Sequence, residues 1–227
     1  MIRLLTEDRI NDFTRFCEKR LTGAVIYTRF LTYGLYSGDV FFWYSEDEEG
    51  NVKGVFSMLD GILLACTEET DEEEITLFAR TVGAMSVTYG KALYTLKYTG
   101  SNCVYSEEDV SGENIKDVFD VIFEADACRK DFFERWYTDA SHKIRHGLIH
   151  GKCIYADGIC VSVALTSGET DSLAVISSVA TREKYRKKGF GERVVLSLAQ
   201  SLGKEIYLMT DNEKTKSWYE KTGFSVL

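Results

Sequence analysis

The stretch Arg186-Lys187-Lys188-Gly189-Phe190-Gly191 decides how the second half of the chain folds. An apolar run before it, Leu173 to Val179, is long enough for one buried strand. After it, apolar residues recur at helical spacing, and Gly203 stands where a left-handed helix cap would fall. The segment therefore predicts a strand, a basic glycine loop and a helix whose apolar face is made by Val194, Val195, Leu198 and Leu202.

The composition of this loop indicates an anion-binding site. The free N–H groups and partial positive charge of a helix N-terminus favour phosphate. Gly189 and Gly191 carry no side chain that would block close approach, and three cations stand beside them. A Walker loop would need Gly-x-x-x-x-Gly-Lys-Ser/Thr, and a dinucleotide fingerprint would need a third glycine. We therefore expect a polyphosphate that is held in neither of these two ways.

Three features in the last third of the chain resemble one known family. Arg186, Gly189 and Gly191 match Arg/Gln-x-x-Gly-x-Gly/Ala, which is motif A of the GNAT acetyltransferase superfamily. A predicted strand, Glu205 to Thr210, comes next, and residues 212–224 then show an Asn…Tyr…Gly-Phe pattern similar to that of the family's closing helix. The resemblance implies a GNAT-like α/β fold with a mixed sheet.

The resemblance also implies that acetyl-CoA is the cosubstrate. Its diphosphate would lie on the N–H groups of the loop, and its pantetheine arm would bind the main chain of the preceding strand, with the thioester oxygen near the N–H of Val179. The family's usual valine is Thr181 here and its frequent proline is Glu183. Because these contacts use the main chain, the expectation stands. The implied cofactor-binding residues are Val179, Thr181, Arg186, Lys187, Lys188, Gly189, Phe190, Gly191 and Asn212.

Two residues of the closing helix each have two interpretations. Tyr219 falls at the family's general-acid position, and a phenol with a reference pKa of about 10 can give a proton to a thiolate with a reference pKa of about 8.5. Tyr219 could instead be a buried tyrosine beside Trp218 and Phe224. Asn212 would bind the pantetheine amide or would cap the helix. Following the resemblance, we assign Tyr219 as the catalytic residue.

The general base is not evident in the sequence. An acceptor ammonium with a pKa of about 10 must lose a proton before it attacks. Glu169 and Asp171 precede the central strand, where a solvated turn is the simpler interpretation. Gly147 is expected to end the helix that carries the histidines, so we predict no metal site at His142, His146 and His150. Four aromatic residues either line the acceptor entrance or belong to the core: Phe132, Phe133, Trp136 and Tyr137.

The overall composition limits the partners that the chain can have. A chain of 227 residues with 44% hydrophobic residues can form a globular core, and its net charge of −9 disfavours nucleic acids and anionic membranes. The basic cluster is therefore local and favours a small anionic ligand. The six cysteines form no Cys-x-x-Cys pair, and we find no signal-peptide pattern or long apolar run. We expect buried free thiols and a cytoplasmic protein.

The two halves of the chain show the same predicted order of helices and strands. The polar stretch Thr99 to Asn114 is the candidate boundary. Where the second half has the glycine loop, the first half has the acidic residues 68–74, which would repel phosphate. We therefore predict a degenerate GNAT-like N-terminal lobe over residues 1–104, which shapes the acceptor pocket without binding the cofactor. Residues 105–227 would form the catalytic GNAT domain.

These observations favour an N-acetyltransferase that moves an acetyl group from acetyl-CoA to a primary amine by direct attack. The acceptor would be an amine of a small molecule or a peptide, and neither a nucleic acid nor a membrane is expected as partner. A catalytically silent acetyl-CoA-binding or regulatory module is the alternative. Tyr219 favours the enzyme, and the missing base favours the silent module. The sequence leaves open whether the chain forms a homodimer.

Overall fold

The computed structural model of the chain describes residues 1–69, 71–124 and 133–227. These residues form an α/β structure with two β-sheets. One sheet contains a parallel pair of strands among antiparallel ones, and the other contains a long antiparallel hairpin. The predicted α/β class is confirmed. Over the same ranges, none of the helices has the length and apolar character needed to cross a membrane.

The chain divides into two compact units. The first contains Met1–Lys91 together with Gly168–Leu173, and the second contains Ala92–Ser167 together with Ala174–Leu227. The predicted functional boundary between residues 104 and 105 stays a prediction. The two compact units divide earlier along the chain, between Lys91 and Ala92.

The first unit is built on a five-stranded sheet, whose strands stand in the order β1 (Ile2–Leu4), β2 (Val40–Glu46), β3 (Val52–Leu59), β4 (Ile62–Thr67) and β5 (Ser86–Thr88). Neighbouring strands are antiparallel except for β4 and β5, which run parallel. A tight turn at Asp60 and Gly61, with φ of 51° and 74°, joins the third strand to the fourth as the Asp-Gly pair predicts.

Three helices cover the two faces of this sheet. Helices α1 (Ile10–Cys17) and α2 (Leu21–Tyr33) share a buried cluster with Phe42, whereas α3 (Glu72–Thr81) shares another with Trp43. Successive side chains of a strand point to opposite faces, so these two neighbours in β2 supply both cores.

The second unit is built on a seven-stranded sheet, and a central cluster that includes Leu96, Ile206 and Leu208 fills its core. Its strands are β6 (Tyr94–Tyr98), β7 (Glu108–Asp109), β8 (Gly151–Ala156), β9 (Ile159–Glu169), β10 (Leu173–Thr181), β11 (Glu205–Thr210) and β12 (Phe224–Val226). They stand in the order β12-β6-β11-β10-β9-β8-β7. Its helices are α4 (Ile115–Phe123), α5 (Phe133–Arg145), α6 (Phe190–Ser201) and α7 (Glu213–Lys221).

The polar stretch that predicted a boundary is part of the second unit. Strand β6 before it pairs antiparallel with both β11 and β12. The chain then runs along α6, where the Tyr105 N–H donates to the Gln200 side chain at 3.3 Å and the Glu107 N–H donates to the Ser197 hydroxyl at 2.9 Å. These bonds attach the stretch to α6, although its composition is that of a linker.

The end of β9 and the turn after it belong to the first unit, where they bond α2. The Thr28 hydroxyl accepts from the Glu169 N–H at 2.8 Å and donates to the Glu169 carbonyl at 3.2 Å. Glu169 is only 6% exposed, so its interpretation as a solvated residue is wrong. Asp171, two residues later, is exposed as expected.

We predict that Gly168→Ala lowers the free energy of unfolding by about 2–4 kcal/mol, because a Cβ there would lie 2.5 Å from the Val25 backbone nitrogen and would overpack the turn. Urea denaturation followed by circular dichroism measures this loss. Gly38→Ala is the matched control, since a Cβ at Gly38 meets nothing within 4 Å. Equal unfolding midpoints for the two variants would contradict the close approach.

Candidate active site

The basic glycine loop has the backbone that its composition predicts. Gly189 is the N-cap of α6 with φ of 83°, and Lys187 has φ of 60°. Left-handed residues placed close together turn successive N–H groups toward one side and form an anion-binding nest. The N–H groups in the first turn of α6 also have no partner within the helix. The loop is therefore suited to bind a phosphate group.

The loop borders a cleft of about 760 Å³ in the second unit. The end of β10, the start of α6 and one face of α7 form its walls, and the last turn of α4 closes one side. The structure brings eight predicted site residues to this cleft: Val179, Thr181, Arg186, Lys187, Gly189, Phe190, Gly191 and Tyr219.

Two predicted cofactor-binding residues do not line the cleft. Lys188 places its ammonium 5.0 Å from the centre of the Tyr185 ring. Asn212 caps α7, because its side-chain oxygen accepts from the N–H groups of Lys214 at 2.9 Å and Thr215 at 3.1 Å. The capping interpretation of Asn212 is confirmed, and its pantetheine contact stays a prediction.

Tyr219 combines the two interpretations that the sequence left open. Tyr219 is 7% exposed. The centre of its ring lies 4.7 Å from the centre of the Trp218 ring and 5.5 Å from that of the Phe224 ring. Yet it also lines the cleft, and its hydroxyl bonds to none of the residues that the structure describes. Burial raises the pKa of Tyr219 to about 12, so the phenol keeps its proton at neutral pH.

The two glycines of the loop serve different physical purposes. Gly189 has open space around it, and glycine is needed there for the left-handed backbone. At Gly191 a Cβ would make a tight contact of 3.3 Å with the Thr181 hydroxyl and an ordinary contact of 3.5 Å with the Trp218 ring, so a large side chain would fill the space there. Gly191 therefore keeps the gap between β10 and α7 open.

Backbone strain also marks this cleft. Asp60 and Asp157 take positive φ in tight Asp-Gly hairpin turns, where this conformation is ordinary. Over the described ranges, the other non-glycine residues with positive φ are Ser178 at 46° and Lys187 at 60°. Lys187 lines the cleft, and Ser178 directly precedes a lining residue, Val179. Strained residues of this kind tend to occur at functional sites.

Sequence reasoning missed several residues of the cleft. The Arg182 guanidinium is ion-paired with Glu124, the residue that follows α4. Thr215 and Trp218 join Tyr219 on one face of α7, and their spacing of three and four residues was a signal that could have found them. The pairing of Arg182 with Glu124 joins residues 58 positions apart and left no local signal.

The other candidates for catalysis or metal binding lie elsewhere. Helix α5 ends at Arg145, so it contains His142 but neither His146 nor His150. The rings of His142 and His146 lie 4.4 Å apart. Among the residues with described positions, no cluster of three or more His, Cys, Asp or Glu could hold a metal ion. Three of the four aromatic residues pack around α4 and α5, namely Phe133, Trp136 and Tyr137. Phe132 lies outside the described residues.

The cysteines partly match their prediction. All five that the structure describes are free thiols, and four of them are buried, namely Cys17, Cys66, Cys153 and Cys160. Cys103 is exposed, so the prediction of burial is wrong there. Cys128 lies outside the described residues.

Comparison with known proteins relates the region around the cleft to one family. The Acetyltransferase (GNAT) family matches residues 113–224, which include the loop, the cleft and α7. No curated protein matches the sequence at a significant level.

Solved structures match the whole chain in fold. A tandem GNAT protein from the clavulanic acid biosynthesis pathway has a TM-score of 0.59 at 11% identity, over 100% of this chain and 95% of that one. A Drosophila protein has a TM-score of 0.60 at 9% identity, over 100% and 95%. A GCN5-related N-acetyltransferase from Sphaerobacter thermophilus has a TM-score of 0.55 at 12% identity, over 100% and 92%. The tandem GNAT-like fold is therefore confirmed.

We predict that the free energy of unfolding depends on pH through Tyr219. Below pH 10 its phenol is protonated in both the folded and the unfolded state, so the stabilisation is fully present. As pH rises toward 12, only the unfolded state releases the proton, and roughly 2 kcal/mol of stability is lost.

Urea unfolding of the native protein and Tyr219→Phe between pH 9 and 11.5 measures this loss. The wild-type curve should fall more steeply than that of the variant, because the remaining tyrosines are common to both. Parallel curves would show that burial of this phenol does not hold its proton.

Proposed function

We propose that this protein is an N-acetyltransferase that transfers the acetyl group of acetyl-CoA to a primary amine by direct attack. The match of residues 113–224 to the Acetyltransferase (GNAT) family supports the proposal. The family supports acetyl transfer in general. The observation that carries the finer proposal is the anion-binding nest of Lys187 and Gly189, which opens on the same cleft as the protonated Tyr219.

The loop fits the diphosphate of acetyl-CoA. Its left-handed residues turn N–H groups to one side, and the Gly191 position leaves the room that a Cβ would fill. The N–H groups from Lys187 to Gly191 donate to phosphate oxygens, and Arg186 adds charge beside them. Arg186 is held at the edge of the site, because its Nε–H donates to the Thr181 carbonyl at 3.0 Å.

The end of β10 binds the pantetheine arm and the thioester. Val179 and Thr181 line the cleft and offer main-chain groups to the arm. Acetyl-CoA supplies the acetyl group as a thioester, and the Val179 N–H donates to its carbonyl oxygen as negative charge develops there. Ser178, which directly precedes this donor, has a φ of 46° and so departs from the extended conformation of the rest of β10.

Tyr219 completes the transfer as the general acid. The amine nitrogen forms a bond to the acetyl carbon, the carbon–sulfur bond breaks, and the phenol gives its proton to the departing thiolate. Solvent then returns a proton to the phenolate. Apolar surroundings raise the pKa of a thiol as they raise that of a phenol, so we expect a thiolate that departs beside Tyr219 to be a stronger base than in water.

The proton that the acceptor ammonium loses is not assigned to a residue of this chain. Glu124, the carboxylate that lines the cleft beside α4, is ion-paired with Arg182. The proposed acceptor is an amine of a small molecule or a peptide, and the proposal includes neither nucleic acid nor membrane. We place the reaction in the cytoplasm, where the free thiols would remain reduced.

We predict that Tyr219→Phe lowers kcat about 10²-fold, within the usual range for loss of a general acid, and leaves the Kd of acetyl-CoA within about twofold. Release of the coenzyme A thiol with a mixture of amine acceptors measures turnover, and calorimetry measures binding. Tyr185→Phe is not a suitable control because that side chain contacts the loop; Tyr207→Phe removes a hydroxyl outside the cleft.

The same assay separates the enzyme from the silent module. Acetylated product from any amine, lost in Tyr219→Phe, supports the enzyme. Acetyl-CoA binding without turnover on any acceptor would support the module, and absence of binding would contradict both.

We predict that Gly191→Val weakens acetyl-CoA binding about tenfold, because its branched side chain would fill the gap between Thr181 and Trp218. Gly191→Ala is the matched control and should stay within about twofold, since motif A allows alanine at this position. Gly189→Ala should lose about 1–2 kcal/mol of stability through its positive φ. Calorimetry and urea unfolding measure affinity and stability, and unchanged affinity in Gly191→Val would contradict the assigned cleft.

A further inference from the structure

The strained conformation of the glycine loop requires an anchor outside the loop. The left-handed conformation is unfavourable for a residue with a side chain, and Lys187 takes this conformation at φ of 60°. Strain of this kind persists only where the surroundings hold the chain in place. The segment before Lys187 shows where it is held.

Tyr185 attaches the loop to the tip of the β8–β9 hairpin. Its side chain is 5% exposed and lies in the core cluster of the second unit, and its hydroxyl donates to an Asp157 carboxylate oxygen at 3.0 Å. Asp157 and Gly158 form the two-residue turn between β8 and β9, with φ of 54° and 78°. A turn of this type is fixed by the register of its two strands, so Asp157 offers a rigid acceptor.

The chain that leads into the loop is bound to the same hairpin. The Arg182 N–H donates to the Val161 carbonyl at 2.9 Å, and the Arg182 Nε–H donates to the Cys160 carbonyl at 2.7 Å. The segment before the loop therefore has one attachment at Arg182 and a second at Tyr185, two positions before the strained Lys187.

The Tyr185 ring also lies close to two cations, one before the loop and one within it. The ammonium of Lys188 lies 5.0 Å from the centre of the ring and that of Lys184 lies 5.6 Å from it, both within the range of cation–π attraction. The ring thus keeps two positive charges beside the site even though Lys188 does not line the cleft. Loss of the anchor would release the backbone and these charges together.

We propose that Tyr185 is a positioning residue for the diphosphate of the acyl donor, and that the hydrogen bond from its hydroxyl to Asp157 holds the anion-binding nest in its binding conformation. The inference rests on the proposed function, because it takes acetyl-CoA as the ligand. It assigns a ligand-binding role to a hairpin turn that does not itself line the cleft.

The test removes the bond from either side. Tyr185→Phe deletes only the hydroxyl, and Asp157→Gly deletes the carboxylate while glycine keeps the positive φ of the turn. Asp157→Asn is the matched control, because asparagine tolerates this backbone and keeps an acceptor oxygen. Calorimetry measures the Kd of acetyl-CoA and of S-acetylpantetheine, a thioester without diphosphate, and urea unfolding is measured in parallel.

The proposal expects about fivefold weaker binding of acetyl-CoA in each deletion variant, as one lost hydrogen bond implies, and no further loss in the double variant. Asp157→Asn should stay within twofold of wild type, and S-acetylpantetheine should bind all variants equally. If Tyr185→Phe does not fold, Asp157→Gly carries the test, since Asp157 is an exposed residue.

Equal weakening of both thioesters would show a general structural role and would overturn the inference. Unchanged binding of acetyl-CoA in both deletion variants would overturn it as well, while leaving the proposed function intact. If wild type itself does not bind acetyl-CoA, the proposed function fails and the inference falls with it.

Discussion

The structure of the second unit depends on one backbone constraint, the left-handed conformation at Lys187 and Gly189 that places free N–H groups at the start of α6. These groups have no partner within the helix, and burial without a partner would be costly. They must therefore meet solvent or an anion. The open gap at Gly191 and the cleft beside it give an anion access to them. The position of Tyr219 across the same cleft turns a phosphate-binding loop into a candidate site for acyl transfer.

The first unit shows what the same position looks like without this constraint. At the start of α3, the Asp71 side chain accepts from the Glu74 N–H at 2.9 Å, and three glutamates fill the first turn. A carboxylate of the chain occupies the place that a phosphate would need, and the neighbouring charges are negative. A cavity of about 860 Å³ there is lined mostly by acidic side chains. That the N-terminal lobe does not bind the cofactor stays a prediction, and these negative charges are its physical reason.

Local features of the site could be predicted from the sequence, and features made by distant residues could not. The spacing of Gly189 and Gly191, the apolar period of α6 and the Asn212 cap all lie within short segments, so the pattern identified them. The hydrogen bond from Tyr185 to Asp157 spans 28 positions, and no periodicity points to it. Lys188 was expected at the phosphate because of its sequence position, but its ammonium lies over the Tyr185 ring.

The same distinction between local features and features made by distant residues holds for the fold. The hairpins at Asp60 and Asp157 follow from their Asp-Gly turns, whereas the pairing of β6 with β11 and β12 depends on register between distant strands. Glu169 appeared solvated because its neighbours are polar, but the contact of its backbone with Thr28 buries it. The polar composition of a segment therefore did not predict its environment where its polar groups bond to a distant helix.

The central claim is that backbone amides of the glycine loop bind the diphosphate of acetyl-CoA. Titration of the ¹⁵N-labelled protein with acetyl-CoA, followed by amide chemical shifts, tests it directly. The account predicts large shifts for the amides from Lys187 to Gly191 and none for those from Asp71 to Glu74. Shifts confined to the first unit, or no shift in the loop at saturating ligand, would contradict it.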